Sequence, residues 1–249
     1  MNRPCTIIIP CYNEANRFPL DRFIAFTAAH PEIHFLLVND GSKDRTIDVL
    51  RQAARGREDQ VGVLDQKVNG GKGEAVRAGM LTAMERDGCQ LAGFWDADMA
   101  TPLETIEEMA GVLVSQPQLA MIFGARVKLL GRRVERRASR HYLGRVFATV
   151  VSTLLRLPIY DTQCGAKIFR VNPEAKELFA EPFCSRWIFD VEILARFIRQ
   201  RGYQMESVET AIYEFPLPEW RDVAGSRVRP RDFLRAFFDV VRIHQRYRQ

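Results

Sequence analysis

Leu91-Ala92-Gly93-Phe94-Trp95-Asp96-Ala97-Asp98 passes from apolar to acidic within a few residues. The apolar half is that of a buried strand, and two carboxylates one residue apart emerge where it ends. Left alone, the two charges repel. A hard divalent cation, Mg²⁺ or Mn²⁺, relieves the repulsion, because such ions take oxygen ligands and commonly use one or two carboxylates together with substrate phosphates. An Asp-x-Asp triplet ahead of Thr101-Pro102 is equally good turn and helix-capping chemistry. Its surroundings must choose between the two.

Outward from this stretch, short β-branched runs alternate with amphipathic helical patterns. Cys5-Ile9, His34-Val38, Val61-Asp65, Leu91-Trp95 and Leu119-Phe123 read as strands. Leu20-Ala29, Lys43-Arg55, Glu74-Arg86 and Leu103-Val114 carry apolar residues at three- and four-residue spacing and read as helices, with Ser42 as an N-cap. The rhythm predicts an α/β fold with a mostly parallel central sheet flanked by helices. Polar or glycine-rich sequence follows four of the strands: Pro10-Cys11-Tyr12-Asn13-Glu14, Asn39-Asp40-Gly41-Ser42, Asp96-Ala97-Asp98 and Gly124-Ala125-Arg126. Carboxyl ends of parallel strands share one edge, where ligands bind, so these loops are expected to line one cleft.

The second half changes character at Lys128. Arg132, Arg133, Arg136, Arg137, Arg140 and Arg145 precede the apolar stretch Val146-Leu155, which reads as one long amphipathic helix with a basic leading end. Asp161-Thr162-Gln163-Cys164-Gly165 forms a polar turn, Ala166-Arg170 a strand and Trp187-Arg201 a helix. The tail, Arg231-Tyr247, gathers Phe233, Leu234, Phe237, Phe238 and Val241 on one helical face against arginines. With 36 Lys and Arg against 31 Asp and Glu, 47% apolar and 27% charged residues in 249, the chain is an ordinary folded one, which excludes disorder, collagen and coiled coil. Neither a secretory signal nor a membrane span is legible, and five scattered cysteines without a CxxC pair read as reduced thiols, so a cytoplasmic protein is expected. His30, His34, His141 and His244 show no metal-ligand spacing.

Two further motifs flank the acidic pair. Asp40 can accept hydrogen bonds from a base or ribose, although Asn39-Asp40-Gly41-Ser42 is also turn chemistry. Asn69-Gly70-Gly71-Lys72-Gly73 is not a P-loop, because Gly73 follows the lysine and Val68 stands where that motif requires glycine. A glycine-flanked lysine at a helix start still suits a nucleotide's phosphates or base edge.

Taken together and in this order, Ile9-Pro10-Cys11-Tyr12-Asn13-Glu14, Val38-Asn39-Asp40-Gly41-Ser42, Asn69-Gly70-Gly71-Lys72-Gly73, Asp96-Ala97-Asp98, Asp161-Thr162-Gln163-Cys164-Gly165-Ala166-Lys167, Phe189-Asp190-Val191-Glu192 and Trp220-Arg221-Asp222-Val223-Ala224-Gly225-Ser226 resemble the inverting family 2 glycosyltransferases, within them the dolichyl-phosphate glucosyl and mannosyl branch. The resemblance implies a GT-A fold with a Rossmann-like nucleotide-binding half. It implies a catalytic domain over 1–229, with a nucleotide-sugar half at 1–126 and an acceptor half at 127–229, then a basic amphipathic helix at 230–249. By the same resemblance Pro10, Tyr12, Glu14 and Asp40 hold the nucleoside with Lys72 nearby, and Asp96, Ala97 and Asp98 meet the nucleotide sugar. Asp98 with Asp96 binds the metal. Arg126 meets donor phosphate, while Arg137 and Arg140 meet acceptor phosphate. Ala100 stands where the mannosyl branch has a metal-binding glutamine, with Gln163 as its substitute.

The chemistry so implied is direct displacement of UDP or GDP from a hexose, with UDP-glucose favoured and GDP-mannose the other donor. A polyprenyl phosphate acceptor needs no general base, being mostly dianionic at neutral pH. A saccharide hydroxyl would need one, and Asp161 or Asp190 would serve. The arginine group and the two amphipathic stretches suit an anionic lipid headgroup and peripheral membrane contact, though helices of this kind also simply pack on a core. Trp187 and Trp220 are expected to be partly core and partly cleft wall. A nucleic-acid binder could use the same net charge, but no recognised module for it is present.

Overall fold

The computed structural model describes residues 5–135, 138–223 and 230–248, with the side chains of 138–143 and 230–234 outside the description. Its first half alternates as the sequence predicts: β1 (Cys5–Cys11), α1 (Leu20–Ala29), β2 (Ile33–Asp40), α2 (Thr46–Ala54), β3 (Val61–Gln66), α3 (Lys72–Met84), β4 (Leu91–Phe94), α4 (Thr105–Ser115) and β5 (Met121–Ala125). The second half adds β6 (Arg133–Glu135), α5 (Ala138–Leu155), β7 (Lys167–Arg170), α6 (Pro173–Ala180), α7 (Phe189–Gln200), α8 (Met205–Glu209), β8 (Ile212–Pro216), β9 (Glu219–Arg221) and α9 (Pro230–Tyr247).

Seven strands form one sheet in the order β3-β2-β1-β4-β7-β5-β8. Every neighbouring pair is parallel except β4–β7 and β5–β7, so β7 alone runs against the rest. Its reversal brings the start of β7 to the edge where β4 and β5 end, with Lys167 level with Phe94 on one side and Phe123 on the other. A strand from the second half is thereby inserted between two from the first. Hydrophobic alternation builds the layers. Ile7 and Ile9 join α1, α2 and α4 residues such as Phe23, Leu50 and Ile106 on one face, while Ile8 points to the other, among Val76, Phe179 and Phe197. Phe169 is fully buried on that second face, its ring 5.4–6.2 Å from those of Phe94, Phe123 and Phe179.

Several expectations change. The first two strands run on to Cys11 and Asp40, and α2 starts only at Thr46. Ser42 is not its cap: the Ser42 hydroxyl oxygen accepts the Asn13 N–H at 3.0 Å, and Asp44 accepts the Thr46 N–H at 3.0 Å. The single long helix expected across the arginine group is broken, because Arg133–Glu135 pairs as a parallel strand with β9 before α5 begins. The tail helix also turns a different face inward. Ala236, Val240, Ile243 and Tyr247 pack on Phe147, Val151, Ile188 and Val191, while Phe238 and Val241 face outward. Both amphipathic segments therefore bury one side in a third core cluster. Glu192, fully buried, anchors the end of α9 by accepting from the Tyr247 hydroxyl at 2.8 Å and from Arg196 at 2.9 Å. Among the described residues no helix is long and apolar enough to cross a membrane.

Phe169→Ala is expected to destabilise the fold by about 3–5 kcal/mol, since the ring leaves a cavity that its aromatic neighbours cannot close, and urea unfolding followed by far-UV circular dichroism measures it.

Candidate active site

The acidic pair occupies the carboxyl edge of the sheet. The Trp95 N–H still bonds to the Ile8 carbonyl at 2.8 Å, extending the β4 pairing by one residue, and the Trp95 indole N–H reaches the Thr101 carbonyl at 2.9 Å. Between these anchors the chain turns sharply. Met99 adopts a left-handed backbone (φ +49°), its N–H bonding to the Asp96 carbonyl at 3.0 Å. The turn sends the two carboxylates to different surroundings.

Asp96 lies against Lys72, whose ammonium donates to it at 2.5 Å, and its carboxylate presses on the backbone of Gly165. Any Cβ at 165 would collide with that carboxylate, so glycine is required there by close approach. Burial alone would raise the Asp96 proton affinity. The Lys72 charge, with Arg126 and Lys167 beyond it, outweighs burial and holds the carboxyl below the usual range. Asp98 shows the opposite balance. Burial and then the neighbouring Asp96 charge push its proton affinity up, while it accepts the Ala100 N–H at 3.1 Å and has Arg17 no closer than 3.8 Å.

Two buried ion pairs close the floor. Lys167, with no exposed surface, holds Asp190 at 2.6 Å and donates to the Cys164 carbonyl, its ammonium 4.9 Å and 5.4 Å from the Phe123 and Phe94 ring centres. Burial raises the Asp190 proton affinity, with Lys167 and Lys72 opposing it. Arg126 grips Asp161 bidentately at 2.6 Å and 2.8 Å, and its guanidinium lies 5.4 Å from the Trp220 ring centre. Glu214 of β8 in turn accepts the backbone N–H groups of Tyr160 and Asp161 at 2.7 Å and 2.8 Å. The Gln163 side-chain nitrogen is buried without a hydrogen-bond partner among the described residues.

Asp40 organises the glycine loop. Its carboxylate accepts Gly70 and Gly71 N–H at 2.7 Å and 2.9 Å and the Asn69 amide at 2.8 Å. Arg186 covers the loop, bonding to the Asn69 carbonyl at 2.9 Å and accepting the Gly73 N–H at 3.1 Å. Ser185, next to it, donates to Asp239 of α9 at 2.7 Å. Pro10, near the end of β1, and Tyr12 and Glu14, in the loop after it, lie partly buried, and that loop is tied to the start of α2 by the Glu14 N–H bonding to the Thr46 hydroxyl at 2.7 Å.

The fold thus gathers Lys72, Asp96, Asp98, Arg126, Asp161 and Asp190 at one edge. Arg137 lies outside the described residues, and so does the side chain of Arg140. Trp187 is half exposed, and Trp220 half-buried beside Arg126. Lys167 and Glu214 were not nominated from the sequence. A lysine opening the apolar run Ala166-Lys167-Ile168-Phe169 was the available signal for the first, and Glu214 had none. Among the described residues, the His, Cys, Asp and Glu side chains that converge in a group of three are His30, Glu32 and Glu107, at the opposite edge of the sheet. Asp96 and Asp98 are not joined by a third such residue there. Two hard oxygen donors with mutual repulsion fit a divalent cation whose other ligands come from a bound diphosphate or water.

The mostly parallel sheet flanked by helices, with an acidic pair just beyond β4, is an α/β fold whose solved neighbours are of the GT-A type. The chain belongs to glycosyl transferase family 2, whose model matches residues 6–176. It is 31% identical to a dolichyl-phosphate beta-glucosyltransferase of Trichomonas vaginalis, over 96% of this chain and 70% of that one. It is 33% identical to the dolichyl-phosphate beta-glucosyltransferase of Drosophila melanogaster, over 90% and 69%. Among solved structures, glucosyl-3-phosphoglycerate synthase from Mycobacterium tuberculosis in complex with UDP superposes with a TM-score of 0.66 at 16% identity, covering 98% of this chain and 80% of that one. The same synthase with Mn²⁺, UDP-glucose and phosphoglyceric acid gives 0.63 at 14%, covering 98% and 80%, and likenesses of this order show the shared fold.

Asp98 binds its proton more tightly folded than unfolded, so its contribution to stability is fully present below the ordinary aspartate range near pH ~4 and is lost as pH rises through the raised value. Asp98→Asn accordingly melts above the wild type at pH 7 in chelator, and the two melting temperatures converge near pH ~4. Lys167→Met strands the buried Asp190 carboxylate and is expected to cost about 3–5 kcal/mol in urea unfolding, most of which Lys167→Met/Asp190→Asn regains.

Proposed function

We propose that this chain transfers glucose from UDP-glucose to a polyprenyl monophosphate of the dolichyl type, inverting the anomeric centre with the help of a divalent cation. The observation that carries this reading is the match, over 96% of this chain and 70% of the relative, to a protein named as a dolichyl-phosphate beta-glucosyltransferase. In the reaction an oxygen of the acceptor phosphate forms a bond to C1 of glucose on the face opposite the donor diphosphate. The bond from C1 to the β-phosphate oxygen breaks, and its electrons leave with UDP.

The residues divide by place. Pro10, Tyr12 and Glu14 would contact the nucleoside, and Asp40 would act with them by holding the loop that carries Lys72. Asp98, with Asp96 beside it and the Gln163 amide at the same edge, would hold Mg²⁺ or Mn²⁺. That ion, when bound, neutralises charge on the leaving diphosphate. Lys72 keeps Asp96 ionised and oriented, and Arg126 faces the donor phosphates. Arg137 and Arg140 would meet the acceptor phosphate. The segment 127–229 would form the acceptor half and 230–249 its helical appendage, with the protein peripheral on the cytoplasmic membrane face.

Charge and pairing favour a phosphate acceptor over a hydroxyl. Asp161 and Asp190, the carboxylates that would have to remove a hydroxyl proton, are each bound to a cation at 2.6 Å. A phosphate that is already ionised asks nothing of them. Among the paired groups at this edge, Lys72, Lys167 and Arg126 stand against Asp96, Asp98, Asp161 and Asp190, so these groups by themselves carry no surplus positive charge for the donor diphosphate. A bound divalent cation reverses that balance.

Radiolabelled UDP-glucose incubated with detergent-dispersed dolichyl or undecaprenyl phosphate and Mn²⁺ should give organic-phase product, and Asp98→Ala should cut kcat by about a hundredfold or more. Label appearing only on a water-soluble acceptor would overturn the reading. The rate should also show an acid limb near pH ~6, the second ionisation of a phosphoester, and Lys167→Met/Asp190→Asn should leave that limb in place.

A further inference from the structure

The strongest exposed apolar feature outside the α5–α9 face is a loop tip. Residues 127–132 leave the carboxyl edge immediately after Arg126 and return as β6, which is held by the Arg133 N–H bonding to the Pro218 carbonyl at 3.0 Å and by pairing with β9. At the tip the Arg132 N–H bonds to the Leu129 carbonyl at 3.1 Å, and Gly131 takes φ +80°, a left-handed conformation that glycine adopts without strain. This turn throws Leu129 (47% exposed) and Leu130 (104%) into solvent side by side. Lys128, Arg132 and Arg133 are exposed around them, and no acidic residue falls between 127 and 134.

We propose that this loop is a membrane finger: Leu129 and Leu130 enter an anionic lipid bilayer while Lys128, Arg132 and Arg133 meet its headgroup phosphates. Single leucines on a surface are ordinary. Two adjacent ones at a loop tip, flanked along the chain by Lys128, Arg132 and Arg133 with Glu219 and Glu135 further back on the β6–β9 pair, have the composition of an interfacial anchor, whose apolar residues reach the acyl boundary and whose basic residues stay with the phosphates. Charge is what selects a bilayer over a neutral apolar partner. Placement adds a consequence, because the loop begins two residues beyond the end of β5, directly after Arg126 of the Arg126–Asp161 pair, so the finger would bring the cleft down to the plane where a polyprenyl phosphate presents its headgroup. The inference deepens the lipid-phosphate reading and rests on it for that last step only.

Co-sedimentation of the full chain with vesicles of phosphatidylcholine, alone or mixed with phosphatidylglycerol, tests it. The wild type should bind the anionic vesicles and not the neutral ones. Leu129→Ser/Leu130→Ser should bind more weakly by about a hundredfold or more, as expected for withdrawing two leucines from an acyl boundary, whereas Phe238→Ser/Val241→Ser on α9 should bind as the wild type does. In Leu130→Trp, tryptophan emission should move to the blue when anionic vesicles are added. Transfer to a detergent-dispersed short prenyl phosphate reports on the site separately and should be unchanged in all these variants. The finger is overturned if the loop variant binds like the wild type, if the α9 variant accounts for the loss, or if RNA rather than anionic vesicles competes for the loop. Vesicle binding through the loop with no detergent-phase transfer would instead sink the proposed reaction and leave the finger standing.

Discussion

Asp96 is the point on which the rest of the site depends. Its carboxylate is wedged between the Lys72 ammonium and the bare backbone of Gly165, and each neighbour constrains a different part of the chain. Through Lys72 it fixes the start of α3 and the glycine loop that Asp40 holds from the end of β2. Through Gly165 it fixes the turn leading into β7. With Asp96 ionised and compensated, Asp98 is left as the undercompensated acid, since burial and the repulsion of Asp96 outweigh the more distant Lys72 and Arg17, the latter 3.8 Å away. One ion pair therefore makes two chemically similar residues unequal.

Support for that arrangement comes from far along the chain. Reversal of β7 carries Lys167 under the cleft, where it balances Asp190 at the start of α7. The same helix sends Glu192 the other way, to Arg196 and Tyr247 at the end of α9. Asp239 on α9 holds Ser185, and the neighbouring Arg186 roofs the glycine loop. A helix that touches none of the acidic pair thus braces the segment bearing Lys72. Buried charges so arranged contribute little net stability compared with a well-packed apolar core, but removing one partner from any pair leaves the other unsolvated and is strongly unfavourable.

Much of this was readable in advance. The βαβ rhythm and the shared edge that carries Asp40, Asp96, Asp98 and Arg126 follow from local patterns, because strand polarity in a parallel sheet sends consecutive carboxyl ends to one side. Asp161 and Asp190, by contrast, were nominated through the family resemblance and are brought there by the reversed β7 and by α7. Less local matters were not. Arg133–Glu135 carries too little apolar periodicity to be told from the basic helix that follows, and it becomes a strand only because β9 is there to pair with it. Ser42 has the chemistry of a helix cap, yet the loop after β1 claims its oxygen first. In α9 the choice between two apolar faces was settled by which one meets α5 and α7.

The sequence by itself determined the fold class, the acidic pair, the glycine-flanked lysine and the family, because these depend on residue type and short spacing. Tertiary packing alone decided which carboxylates are already neutralised by cations, which apolar residues stay outside, and that a lysine in an apolar strand has an aspartate to meet. Those outcomes depend on distances between segments tens of residues apart. Electrostatic pairing and burial act on such distances, and no local pattern encodes them.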